Sequence, residues 1–214
     1  MKTLLINGSP HEKGSTWTAL RAVADSLEAE GSETEIYQIP FVPVLGCSGC
    51  RSCKKTMNNR CSVDGDAVNV ILEKMERSDA LVIGTPVYYA APNGHLLAVL
   101  DRVFFPCGYI GSVFSGKPAS AVCVARRGGT TATLEVLQKY FTIAGMPIVP
   151  STYWPMAHGT SGEEVLRDGE GIQTLQMVGK TLVWLMKCIA AGTASGVEYP
   201  GFRGGDKVWT NFIR

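Results

Sequence analysis

Short apolar runs rich in β-forming residues alternate along this chain with longer segments of helical period. That order leads to βαβ units, a parallel sheet and helices on both of its faces. The runs fall at residues 3–7, 33–39, 80–85, 118–125 and 146–151. Between them, residues 15–30 place Leu20, Val23, Ala24 and Leu27 on one helical face, 66–77 place Val70, Ile71 and Met75, and 130–144 place Leu134, Leu137, Tyr140 and Phe141. A last helix over 170–190, with Leu175, Val178, Leu182, Leu185 and Met186 at the same spacing, is expected to cover the remaining sheet face. Right-handed crossovers leave few topologies for five strands. The natural one is the order 2-1-3-4-5, with a ligand crevice between strands one and three, where the order reverses. The 214 residues suit one domain, long enough to bury roughly 70% of the unfolded surface without disulfide staples.

The crevice predicts where binding residues should lie: in the loops after strands one, three and four. Strand one runs into Gly8-Ser9-Pro10-His11 and then into Gly14-Ser15-Thr16 at a helix start. Free N–H groups at that start, with the hydroxyls of Ser9, Ser15 and Thr16, would surround one anion with donors, and His11 lies in the same loop. The pattern is neither Gly-x-Gly-x-x-Gly nor a Walker loop, since this loop contains no Gly-Lys-Ser/Thr. After strand three come Thr85, Pro86, Val87, Tyr88, Tyr89 and Asn93; after strand four come Ala125, Arg126, Arg127, Gly128 and Gly129. A flavin ring needs a flat slot, N–H donors toward its N1/O2 edge and a shielding wall, and these two loops offer such groups. Each piece alone also has an ordinary reading as a turn, a core segment or a strand end. Three of them at successive strand ends favour the flavin. His11, His95 and His158 are expected to have no catalytic role, because the flavin's own N5 carries the chemistry.

Through Gly8-Ser9-Pro10 with Gly14-Ser15-Thr16, through Gly84-Thr85-Pro86-Val87-Tyr88-Tyr89 leading to Leu100-Asp101-Arg102, and through Arg126-Arg127-Gly128-Gly129, the chain resembles the NADPH-dependent FMN reductase and iron-sulfur flavoprotein branch of the flavodoxin-like proteins. Residues 153–154, 158–159 and 169–171 extend the likeness toward the C-terminus. The resemblance implies a flavodoxin-like three-layer sandwich with FMN as cofactor. Ser9, Ser15 and Thr16 would bind its phosphate, residues 86–89 and Asn93 would line the flavin, and 125–129 would contact the ring edge. It also implies an NAD(P)H-dependent oxidoreductase that assembles as a homodimer or homotetramer.

The second strong signal is Cys47-x2-Cys50-x2-Cys53-x7-Cys61, with Gly46 and Gly49 relieving the crowding. Four closely spaced thiols can form the ligand set of one 4Fe-4S cluster, and no Pro follows the fourth Cys as in two-cluster ferredoxins. Arg51, Lys54, Lys55 and Arg60 add positive charge that favours thiolates. The resemblance points to a cluster in this same loop, while a structural zinc or free thiols fit the spacing as well. Cys107, Cys123 and Cys188 lie on apolar segments and are expected to be buried and inert. Asp101-Arg102 reads as an intrahelical charge or a subunit contact.

Residues 1–191 are expected to form the FMN-binding domain, with the cysteine-rich loop at 46–64. Residues 192–214, carrying Tyr199, Phe202, Trp209 and Phe212, would form a tail that packs on another subunit or folds back on its own domain. A formal charge of +1 offers no field for nucleic acid or an anionic bilayer. The seven cysteines suit a reducing compartment, the cytoplasm. No stretch is apolar enough to span a membrane, and the start does not read as a signal peptide. Three functions follow in order: an FMN oxidoreductase passing electrons between NAD(P)H, or a reduced carrier such as ferredoxin, and an acceptor; a one-electron carrier; and a zinc-stabilised interaction module.

Overall fold

A computed structural model describes residues 1–107, 112–200, 208 and 210. The elements run β1 (Lys2–Asn7), α1 (Ser15–Ala29), β2 (Glu33–Gln38), α2 (Ser52–Thr56), α3 (Val68–Glu76), β3 (Ala80–Tyr88) and β4 (Ala91–Pro92). They continue with α4 (Gly94–Cys107), β5 (Ala119–Ala125), α5 (Thr130–Ile143), β6 (Met156–His158), α6 (Gly162–Arg167) and α7 (Gly169–Ala194). The parallel strands lie in the order β2-β1-β3-β5-β6. This is the expected 2-1-3-4-5 arrangement, with the two-residue β4 added as an antiparallel hairpin on the end of β3.

Alternation along the strands divides the core in two. Leu4, Ile6, Leu81, Ile83 and Cys123 face α3, α4 and α5, while Leu5, Val82, Val122 and Val124 face α1, α6 and α7. The result is a three-layer sandwich with its central strands buried on both faces. Two glycines set the spacing at the ligand edge. A Cβ on Gly84 would lie 2.7 Å from Leu20 of α1, and one on Gly8 would meet the Gly84 carbonyl at 2.9 Å. The absence of both side chains lets α1 and the first loop close onto β3, where the Gly8 N–H donates to the Gly84 carbonyl at 2.9 Å.

The fifth strand is displaced from its expected place. Residues 146–151 make one isolated bridge, Ala119 with Ile148, and regular pairing resumes only at Met156–His158. Pro147, Pro150 and Pro155 lack the N–H that a ladder needs, so the chain pairs in two short pieces. Helix α7 runs to Ala194, so the boundary expected at 191/192 falls inside it. Tyr199 folds back on the domain, its hydroxyl donating to the Gly145 carbonyl at 2.7 Å. Phe202, Trp209 and Phe212 lie outside the described residues. Among those described, no helix is long and apolar enough to cross a membrane.

Candidate functional site

The first loop is shaped by two residues that the motif did not single out. Asn7, fully buried at the end of β1, accepts from the Ser9 N–H at 3.1 Å and donates to the Glu12 carbonyl at 3.2 Å. It also donates to Gln38 Oε1 at 2.6 Å, and Gln38 Nε2 in turn donates to the Ser9 carbonyl at 2.8 Å. The two are register partners on adjacent parallel strands. The available signal was a polar residue at the C-terminal end of each of the first two strands.

This scaffold presents the start of α1. Its N-cap, Gly14, provides no side-chain cap, and no acidic residue occupies the first turn. The first N–H groups therefore carry the helix's partial positive charge without an internal partner. Ser9 and Thr16 are buried beside them and Ser15 half-buried. The Ser9 Oγ accepts from the His11 N–H at 3.1 Å, which leaves its own O–H to donate elsewhere. An anionic monoester fits this donor set, and His11 presents an exposed side chain at its rim.

The loops after β3 and β5 close against each other. Tyr89 and Ala90 form the turn between β3 and β4, both with positive φ, 50° and 58°. Non-glycine residues rarely hold that conformation, and here it thrusts the fully exposed Tyr89 outward beside the half-exposed Tyr88. Gly129, at φ 95°, seats against this hairpin: a Cβ there would lie 2.8 Å from Ala90 Cα and 2.9 Å from Val87 Cγ1. Arg126, Arg127 and Gly128 are exposed next to it, while Ala125 is buried and its carbonyl accepts from the Gly159 N–H at 3.0 Å. Thr85 and Asn93 turn inward. The Thr85 hydroxyl accepts from the Asn93 N–H at 3.1 Å and donates to the Pro86 carbonyl at 2.9 Å, and Asn93 Oδ1 accepts from the His95 N–H at 2.8 Å at the head of α4. Around this contact Pro86 and Val87 are half-buried, and Tyr88, Tyr89 and the two arginines are exposed. Their planar and cationic groups suit a flat, electron-accepting ring.

The cysteine-rich loop forms a separate pocket lined by Cys47, Cys50, Cys53 and Cys61, with Arg102, Phe105 and Pro106 of α4 along one side. Cys47 and Cys50 are exposed, Cys53 is buried on α2 and Cys61 is half-buried. Asn69 of α3 grips the Cys61 backbone from both sides, accepting from its N–H at 2.9 Å and donating to its carbonyl at 3.0 Å. Hydrogen bonds from the Ser52 backbone and hydroxyl, then from Ser62, pull the Cys50 thiol down to about 7. Burial pushes Cys53 up against the opposing charge of Lys54. Among the described residues, no three His, Cys, Asp or Glu side chains converge on the position of a single metal ion. The donor chemistry, four sulfurs opening on one pocket, is that of a zinc or iron-sulfur site.

Part of the flanking charge comes from where it was expected, since Arg51 lines the pocket and Lys54 acts on Cys53. Arg60 is engaged by Glu76 at 2.8 Å, and Lys54 sits 5.0 Å over the Phe105 ring. A further cation, outside the expected set, is Arg102, fully buried within α4, whose Nε donates to Cys61 Sγ at 3.3 Å. Cys107 and Cys123 are buried as expected, which lifts both thiols to about 12. Cys188 is exposed, contrary to expectation. In the metal-free folded protein, iodoacetamide should therefore modify Cys50 first, with a half-maximal rate near pH 7 that falls about tenfold per unit below it. Peptide mass spectrometry would read this, and equal labelling of Cys50, Cys107 and Cys123 at pH 7 would contradict it.

The sequence profile of NADPH-dependent FMN reductases matches residues 1–161. An iron-sulfur flavoprotein of Methanocaldococcus jannaschii is 30% identical over 197 residues, covering 88% of this chain and 99% of the relative. Among solved structures, the NAD(P)H:quinone oxidoreductase from Methanothermobacter marburgensis superposes with a TM-score of 0.64 at 16% identity, over 85% of this chain and 96% of that one. A WrbA-like flavodoxin from Agrobacterium tumefaciens gives 0.60 at 17% identity, over 87% and 98%. At these identities the two structures speak to the fold alone.

Proposed function

The chain belongs to the NADPH-dependent FMN reductase family, and from that premise we propose an FMN oxidoreductase that moves electrons between NAD(P)H, or a reduced carrier such as ferredoxin, and an acceptor, through a 4Fe-4S cluster held by Cys47, Cys50, Cys53 and Cys61. The observation that carries the flavin half is the uncapped start of α1, bordered by buried Ser9 and Thr16 and set beside the paired loops of β3 and β5. FMN, when bound, supplies hydride and single-electron chemistry at its ring, and the cluster supplies one-electron transfer.

The protein's part is to bind, orient and tune. Ser9, Ser15, Thr16 and the first N–H groups of α1 hold the phosphate. Val87 and the Tyr88–Tyr89 hairpin wall the ring, and Arg126 or Arg127 places positive charge where the reduced flavin gathers negative charge, a preorganised electrostatic role. No side-chain acid is required. Helix α4 joins the two centres: Asn93 stands at its head and Arg102 nine residues on, about 14 Å along the axis. The fully exposed Tyr89 is placed to be covered by a second copy of the chain, which makes a homodimer or homotetramer the expected assembly. Four free thiols in one loop suit the reducing cytoplasm.

Anaerobic purification followed by an absorption spectrum and flavin, iron and sulfide analysis tests this reading. One FMN per chain, iron with acid-labile sulfide, and bleaching of the flavin by NAD(P)H or reduced ferredoxin are expected. Failure to bind added FMN overturns the flavin half, zinc without iron overturns the cluster half, and a monomer in light scattering overturns the assembly.

A further inference from the structure

Arg102 is an unusual residue to find without exposure, and its surroundings account for every donor it has. The guanidinium carries five N–H groups in a planar fork, and five acceptors meet them. Nε donates to Cys61 Sγ at 3.3 Å, one terminal nitrogen to the Leu45 carbonyl at 3.2 Å and to Asp66 Oδ2, and the other to the Val63 carbonyl at 2.7 Å and to Asp66 Oδ1 at 3.3 Å. Leu45 precedes the first motif cysteine and Val63 follows the last. One side chain of α4 thus ties together both arms of the cysteine loop.

Burial works against the charge, but the hydrogen bonds to Asp66 and to the Cys61 sulfur outweigh it and hold the guanidinium above its ordinary range. Asp66 is itself fixed, since its Oδ1 also accepts from the Val68 N–H at 3.1 Å at the head of α3. A buried ion pair is a weak source of stability in itself, because removing two charges from water costs about as much as their attraction returns. Its geometry has a second use here, in the aim of Nε at a sulfur. Hydrogen bonds to ligand sulfurs set the potential of a cluster, since a donor stabilises the more negative, reduced form.

We infer that Arg102 is a positioning and tuning residue of the cysteine site: it clasps the loop between Leu45 and Val63 and raises the potential of the centre bound there through the Cys61 sulfur. The tuning half rests on the cluster reading above, whereas the clasp does not.

The test compares two variants of the full chain. Asp66→Asn breaks the ion pair but keeps the Nε donor, and the double variant Arg102→Gln with Asp66→Asn removes both without stranding a buried carboxylate. Redox titration followed by electron paramagnetic resonance should find the centre in the double variant harder to reduce than in D66N. We expect at least about a tenfold shift in the reduction equilibrium, about 59 mV for one electron. Equal potentials in the two variants overturn the tuning role. If the double variant does not accumulate, Arg102→Lys replaces it, because an ammonium can still pair with Asp66 but has no donor at the Nε position; the same lowering is expected there. Hydrogen exchange on the metal-free proteins reads the clasp: amides of residues 45–63 should exchange at least about tenfold faster in the double variant or R102K than in wild type, and unchanged exchange overturns it. A wild-type chain holding neither iron nor sulfide overturns the cluster reading and the tuning role with it, and leaves the clasp to be decided by exchange alone.

Discussion

Replacing Ser15 with glutamate should weaken FMN binding about a thousandfold and leave riboflavin binding unchanged. Ser15 is the first residue of α1, after an N-cap that offers no side-chain acceptor and before a first turn without acidic residues. A carboxylate there would stand where the phosphate is proposed to sit. At about 4 Å and an effective dielectric near 20, the repulsion between two unit charges is about 4 kcal/mol, which corresponds to about three orders of magnitude in Kd. The same carboxylate complements the helix dipole and should stabilise the ligand-free protein by about 0.3–1 kcal/mol. Folding and binding therefore move in opposite directions, and a loss of affinity cannot be confused with a loss of structure. Ser15→Ala, which removes one hydrogen bond to a charged group, should cost about 1.5–3 kcal/mol and again spare riboflavin. Flavin fluorescence titration with both ligands, beside calorimetry of the free protein, measures all of this. An undiminished FMN affinity in S15E would place the phosphate elsewhere.

What could be read before the structure was what local pattern encodes. The apolar runs ending at Asn7 and Ala125 marked the ends of β1 and β5, whereas β3 runs three residues past Thr85 to Tyr88, and the glycine, serine and threonine between β1 and α1 marked a helix start able to receive an anion. The four cysteines identified themselves by spacing. Features resting on contacts distant in sequence stayed hidden. Arg102 looked like an ordinary helical charge because its acceptors come from residues 45, 61, 63 and 66, and nothing in the period of α4 points to them. Asn7 and Gln38 meet only through the register of β1 on β2. The β3–β4 hairpin escaped because its turn, Tyr89-Ala90, holds positive φ without the glycine or asparagine that usually signals it. Thr85 lies within β3 rather than in the loop expected after it, and its hydroxyl and the Asn93 amide are used to set the head of α4. Strand five pairs regularly only from Met156 because Pro147 and Pro150 interrupt the apolar run at 146–151 and cannot donate to a ladder.

Adjacent glycines after β5 allow the ring side of the site to be tested independently of the phosphate side. Gly129 sits at φ 95° with its missing Cβ directed at Ala90 and Val87, whereas a Cβ on Gly128 would meet nothing within 4 Å. Gly129→Val should thus combine left-handed backbone strain of about 1–2 kcal/mol with overpacking of about 1–3 kcal/mol, and lower Tm by about 10 °C in a domain of this size. The hairpin bearing Tyr88 and Tyr89 would be pushed away from the β5 loop, so FMN and riboflavin should be lost together, unlike the outcome at Ser15. Gly128→Ala, one residue earlier, should leave Tm close to wild type. Calorimetry with flavin retention on gel filtration distinguishes the pair. If G129V keeps its flavin while its Tm falls, the contact between the two loops supports the fold alone and the ring must rest on other residues.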